Sequence, residues 1–572
     1  MRKFIWIIAL IITTNAWAQN KEALYSNIKA SVNFLASDEL QGRKPGTEGI
    51  EKAVDYIEDQ FAKAQLEVKT QAFDVVTGLK LNENNYLKFD NSELKIEKDF
   101  IPLGFTKNDN IQAKAQFVGY GFSIKNDSIE WNDYNKNVKS KWVVILTGTP
   151  HFYKELFQNK DDLRAKVLTA SDQQAAGVIF VNSGKRDELT KLHFDKSKER
   201  SAIPVIHITK EAFEKISGKN IDELVASIET QKQPQSFELN PDVSIATDVE
   251  YIIKTTYNVI AYSKGKNPVA KNNYIVVGAH YDHLGFGGED SGSRMPDTIA
   301  VHNGADDNAS GVAAIIELAK YYSEHPHQQN MMFIAFSAEE MGLLGSKFLS
   351  ENMYKNNESS LCMFNFDMIG RLTEDGITVG GVGTAGEFEK LIESNQSNQF
   401  KISTNPDGFG PSDHASFYMQ KSPVLFISTG AHSDYHTPFD DVDKINYTGM
   451  VEIVSWAIQL ISDVDKSELP LKFKETNTQG SARHGASYKV TFGIIPDFNS
   501  KDNNGLKVDG LRKGGPAETA GMLKDDIITM VNGKKVTNIY DYMYRLGELQ
   551  EGDTATVDVL RNGQHKIILI QL

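Results

Sequence analysis

Cysteine is nearly missing from this chain: its 572 residues include one, Cys362. A lone thiol has no intramolecular partner, so the fold is expected to hold without disulfides. For the same reason, a cysteine at a processed amino terminus is not available to carry an acyl anchor. Beyond the amino-terminal segment no apolar run is long enough to span a bilayer, which takes about 20 residues, so an integral membrane segment is excluded there. An excess of basic charge is missing too. The formal charge of −15 argues against nucleic acid and anionic membrane surfaces as partners. Internal repeats and low-complexity tracts are also absent. What remains is 40% hydrophobic and 24% charged residues, the composition of a globular protein with real cores. At about 150 residues per domain, the length allows three or four domains.

The first residues read as an export signal rather than as fold. Arg2 and Lys3 precede the apolar run Phe4 to Ile12, and Ala16-Trp17-Ala18 offers a small-x-small cleavage site. The expectation is a signal peptide over 1–18 and a protein that is periplasmic or secreted. From 19 to about 99, helical apolar spacing over Ala23 to Leu35 and Thr47 to Gln65 gives way to strand-like alternation, with Thr47 placed as a helix N-cap. Residues 100–241 form a β-rich stretch without clustered His, Cys or paired acids, which suits a binding or lid module. From 242 to 464 near-continuous apolar strands alternate with helices. The fold class expected there is α/β, a mostly parallel or mixed sheet covered by helices on both faces. Residues 465–485 lose periodicity and read as a linker, and 486–572 read as a compact β-rich unit.

Four apolar runs within 242–464 end in, or lead to, groups that can bind a metal. YIVVGAH ends in His280 with Asp282 beyond it, and MMFIAF leads to Glu339-Glu340. LCMFNF ends at Asp367, and PVLFIS leads through a loop to Tyr435-His436. Asp307 comes from the first crossover. Each alone reads equally as a hydrogen-bonded turn histidine or a helix N-cap. Together at one sheet edge, where ligands of such sheets bind, they form the donor set that two zinc ions and a bridging water need. Of the adjacent glutamates, one can bind metal while the other serves as base.

The strings AHYDHLG, GADDNASG, FSAEEMGLLGS, NFDMIGR and SDYHTPFDD resemble, in this order and spacing, the zinc aminopeptidases of peptidase family M28, as does the opening FLASDELQGRKPGTEG. The resemblance implies two Zn2+ per chain, with Asp307 bridging, His280 and Asp367 completing one site, and Glu340 and His436 the other. It implies Glu339 as the general base, Asp282 as the residue orienting His280, Tyr435 as an oxyanion donor and a substrate role for Asp413. His283, His302 and Asp306 are read as structural neighbours. The 100–241 stretch resembles a protease-associated (PA) domain. The carboxyl-terminal unit resembles a PDZ domain, with Phe492-Gly493-Ile494-Ile495 where a carboxylate-binding loop would lie, so a peptide or protein carboxyl terminus is an expected partner beside peptide substrates.

The activity expected is exported dizinc exopeptidase, removing amino-terminal residues by metal-bound hydroxide. The rivals are a metallocarboxypeptidase or other zinc amidohydrolase, kept open by Arg371, and a catalytically dead PA/PDZ binding protein. A single-zinc acyltransferase of the glutaminyl cyclase type is more distant.

Overall fold

The computed structural model describes residues 21–125, 130–153, 161–194, 199–266, 271–289, 291–467, 471–476, 490–496, 505–512 and 514–572. The signal segment and Asn477 to Gly485 lie outside the described residues. The chain divides into two compact units, 1–77 with 253–481 and 78–252 with 482–572.

The first unit is built on an eight-stranded sheet. Its elements in chain order are helices α1 (21–35) and α2 (Glu48–Lys63), then strands β1 (Glu67–Leu81), β2 (Val249–Ser263) and β3 (Asn273–His280). Helix α3 (Gly311–Glu324), β4 (Asn330–Phe336), α4 (Leu344–Lys355) and β5 (Ser359–Phe366) follow. The last elements are β6 (Ile377–Gly380), β7 (Ile402–Asn405), β8 (Val424–Ser428) and α5 (Tyr447–Lys466). The strand order is β1-β2-β4-β3-β5-β8-β6-β7. β4, β3, β5 and β8 are parallel neighbours, flanked by antiparallel β2 and β6, so the sheet is mixed with a parallel centre.

Burial on both faces explains why these central strands read as unbroken apolar runs. Ile275, Val277 and Ala279 pack with Val312, Ile315 and Ile316 of α3, Phe364, and Val454 and Ile461 of α5. The alternate residue Val276 packs with Met332, Ile334, Met363 and Val424 over Leu349 and Met353 of α4. Each Val, Leu, Ile, Phe or Met side chain fully removed from water here contributes ~1.5–3 kcal/mol. Thr47 precedes α2 as expected, but its hydroxyl donates to Lys44 O (2.7 Å) rather than being taken up as a cap. Within the stretch read as a linker, Phe473 bridges to Ala385 and the Thr476 amide donates to the Tyr418 hydroxyl, so this part lies along the first unit.

In the second unit, strands Ala115–Phe117, Trp142–Leu146, Gly177–Val181 and Val205–Ile208 form the parallel centre of a six-stranded sheet. The carboxyl-terminal residues form an antiparallel sheet with helix Ile539–Gly547 packed on it through Tyr542 and Leu546. That helix also meets helix Leu163–Asp172. Arg545 makes a two-pronged ion pair with Asp172 (2.8 Å each), and Arg164 stacks against the Tyr540 ring (4.2 Å). Among the described residues no helix is long and apolar enough to cross a membrane.

Candidate metal centre

Parallel neighbours end on the same edge of a sheet, so register brings the strand-end groups together, and the connections add Asp307 and His436. His280 pairs with Phe336 at the ends of β3 and β4, and Phe366 pairs with Ile427 at the ends of β5 and β8. His280 Nε2 lies 3.2 Å from Asp307 Oδ1 and 3.5 Å from Asp367 Oδ1. His436 Nε2 lies 3.2 Å from Asp307 Oδ2 and 3.2 Å from Glu340 Oε1. The two oxygens of Asp307 therefore face two different histidines.

These spacings suit metal. Four donors around an ion with bonds of ~2.0–2.1 Å stand roughly 3.3–3.4 Å apart in a tetrahedron. Asp367 Oδ1 is also buried without a hydrogen-bond donor, as expected of an oxygen reserved for a cation. Zinc fits this donor set. His280, Asp307 and Asp367 could hold one ion, and His436, Asp307 and Glu340 a second.

Outer residues fix these groups. His280 Nδ1 donates to Asp282 O (3.2 Å) and His436 Nδ1 to Gly292 O (3.1 Å), leaving each Nε2 free to bind. Ser412 donates its hydroxyl to Asp367 Oδ2 (2.7 Å). The Asp282 carboxylate does not reach His280 at hydrogen-bond distance (3.8 Å); it accepts the backbone amides of Glu339 (3.0 Å) and Glu340 (3.3 Å) instead. Its side chain thus orients the glutamate pair, and its carbonyl orients the imidazole. Asp440 Oδ2 accepts the amides of Asp306 and Asp307, while Asp440 Oδ1 holds Arg371 Nη2 (2.9 Å). Arg371 Nη1 reaches Asp434 (3.3 Å), so its guanidinium is committed to the loop carrying His436 and is not set out for a substrate carboxylate.

Asp306 faces away, toward Gly370 N, the Ser310 hydroxyl and His432. His302 is likewise held in its own loop, by Ser293 and Ala300 O. Asp413 has no exposed surface, and burial lifts its carboxyl to about 7, which does not suit direct contact with substrate. Tyr435 stacks on His436 with ring centroids 3.8 Å apart. Burial, followed by the charges of Asp307 and Glu340, pushes its phenol pKa up, so it stays a donor. His283 and Arg43 are closer to the chemistry than the sequence indicates. His283 Nδ1 lies 3.0 Å from Glu340 Oε1. Arg43 is fully buried and donates to the carbonyls of Leu35, Tyr281, Asn303 and Gly304, fixing the loops on either side of the site. Its only sequence signal is its place in LQGRKPG.

Charge is balanced by protons. Burial pulls His280 down, but Glu339, Asp367 and Asp307 outweigh it and hold its pKa well above the ordinary value. Burial also opposes the protonation of His436, yet Asp307 and Glu340 raise it to about 10. In return Glu340 falls to about 2 against its own burial, through His283 and His436. Glu339 moves the other way, well up, from burial and then from Glu340 and Asp413, against the pull of His280. Zinc takes neutral imidazole, so it must displace these protons. Because the imidazole values are raised, apparent zinc affinity should climb with pH through the neutral range toward about 10. Calorimetry at pH 7 in buffers of different ionisation enthalpy should report net proton release; zero release would contradict this charge balance.

Residues 258–461 match peptidase family M28, 102–216 match the PA domain and 492–572 match a PDZ domain. An aminopeptidase of Bacillus subtilis is 25% identical over 423 residues, covering 72% of this chain and 78% of its own length. An aminopeptidase of Pseudomonas aeruginosa is 27% identical over 417 residues, 69% of this chain and 68% of its own. A probable leucine aminopeptidase 2 of Trichophyton verrucosum is 29% identical over 324 residues, 54% of each. Among solved structures, an aminopeptidase from Aneurinibacillus sp. strain AM-1 aligns over 79% of this chain and 95% of its own at 23% identity, with a TM-score of 0.46.

Proposed function

We propose that this chain, in which residues 258–461 match peptidase family M28 and other segments match a PA domain and a PDZ domain, removes amino-terminal residues from peptides with two zinc ions and Glu339 as general base. The observation that carries the two-metal reading is the division of Asp307, with one oxygen 3.2 Å from His280 and the other 3.2 Å from His436. Bound there, the ions would supply Lewis-acid polarisation of the scissile carbonyl and a water acidified toward neutrality.

The remaining chemistry belongs to side chains. Glu339, whose pKa burial and neighbouring carboxylates raise, takes the proton of the attacking water and passes it to the leaving amine. Asp282 holds Glu339 for this task through its backbone amide (3.0 Å). Tyr435, kept protonated, donates to the developing oxyanion. The free amino terminus of a substrate meets an acidic edge. Arg371, the cation that would favour a substrate carboxylate, is paired with Asp434 and Asp440, which weighs against the carboxypeptidase reading. The relatives named aminopeptidases weigh the same way. Export to the periplasm or beyond is part of the proposal and rests on the pattern of residues 1–18. The PDZ domain is proposed to take a peptide end or to serve as an accessory substrate contact.

A matched peptide panel tests the activity: free amino terminus, acetylated amino terminus and amidated carboxyl terminus, each with and without a zinc chelator. Cleavage should require the free amine, ignore the amidation and stop with the chelator. Cleavage that requires the free carboxylate would overturn the aminopeptidase assignment.

A further inference from the structure

We infer that His283 is a positioning residue whose Nδ1–H donates to Glu340 Oε1 and fixes one half of the metal centre. The inference rests on the two-metal reading above. His283 is 1% exposed, and its Nδ1 lies 3.0 Å from Glu340 Oε1, the same oxygen that faces His436 Nε2 at 3.2 Å. The other carboxylate nearby, Asp307 Oδ2, is 3.7 Å away, beyond hydrogen-bond length.

Proximity alone would also suit a third imidazole ligand, because Nδ1 converges with oxygens of Asp307 and Glu340. The ring's other nitrogen separates the two cases. A ligating histidine is almost always held by the nitrogen that does not bind metal. His280 and His436 obey this rule, each donating Nδ1 to a carbonyl. His283 Nε2 is buried without a partner, so nothing holds the ring from behind. The backbone holds it instead. The His283 amide donates to Arg43 O (3.3 Å), and Gly304, at φ +56°, leaves room for the ring, where a Cβ would stand 2.6 Å from His283 Cδ2.

The centre then has matched halves. Asp367 receives a hydroxyl from Ser412 at 2.7 Å, and Glu340 receives an imidazole N–H from His283 at 3.0 Å. Each terminal carboxylate accepts from a side-chain donor, and that donor differs between the two halves.

The test is zinc binding by equilibrium dialysis with metal analysis, on wild type, His283→Asn and His283→Leu. Asn puts an amide N–H where Nδ1–H was and offers no ring nitrogen; Leu fills the space with no donor. Thermal unfolding in chelator checks that the metal-free variants fold. Wild type should bind two ions. His283→Leu should keep one at wild-type affinity and weaken the other by about 10–100-fold, as expected for a lost orienting partner. His283→Asn should return that ion to within a few-fold of wild type, with the cobalt(II) ligand-field spectrum unchanged. Two wild-type affinities in His283→Leu would overturn the inference while leaving the two-metal reading intact. So would an Asn variant as weak as Leu with an altered cobalt spectrum, since the imidazole nitrogen would then itself be a ligand. A single ion bound by wild type would overturn the two-metal reading, and the inference with it.

Discussion

Asp307→Ala is expected to lose both metals and, with them, all measurable turnover. One carboxylate serves both halves, Oδ1 toward His280 and Oδ2 toward His436. Without it each half keeps two donors, His280 with Asp367 and His436 with Glu340. A catalytic zinc is normally held by three protein ligands, so neither pair suffices. The loss should exceed that from removing a proton acceptor, which is ~10²–10⁴-fold in rate. Metal analysis after dialysis, together with turnover of the free-amine peptide, checks both parts. Retention of two zinc ions by the variant would mean that Asp307 does not bridge.

Glu339→Ala should separate what Asp307→Ala removes together. Zinc content stays at two, because Glu340 and not Glu339 faces His436. Turnover falls by roughly 10²–10⁴, the usual contribution of a positioned proton acceptor. The environments of the two glutamates support the division. Burial opposes the Glu340 charge, yet His283 and His436 lower its pKa to about 2, which suits a metal ligand. Burial and neighbouring carboxylates raise Glu339, which suits proton transfer. Wild-type turnover in Glu339→Ala would remove it from the mechanism, and lost zinc would make it a ligand.

The donors that the sequence reveals are those a parallel sheet delivers by its own geometry. His280, Asp367 and the Glu339-Glu340 pair sit at or just beyond apolar runs. Once β3, β4 and β5 are known to be parallel, their convergence follows from register. What stays hidden depends on loops meeting far along the chain. The Arg371 partners lie more than sixty residues away, so sequence shows a cation beside a strand end and not its ion pairs. The role of His283 depends on the left-handed turn at Gly304. Asp282 shows how proximity in sequence misleads: two residues from His280, it gives that ring its carbonyl and gives its carboxylate to the next strand's end. A mixed sheet is within the expectation, but which strands run antiparallel is not legible, because helix-strand alternation records the parallel crossovers and not where the chain turns back.

The one thiol has a use that its chemistry in the folded state does not suggest. Cys362 is fully buried in β5, its pKa pushed up by that burial, and β5 ends one residue before Asp367. A thiol reagent meets it only when this part of the sheet opens. The chain therefore carries a built-in clock with no competing signal from a second cysteine. At saturating reagent, the rate of labelling is the rate at which the strand supporting the metal centre comes apart, and adding zinc should slow it in proportion to how firmly the ions hold that edge closed.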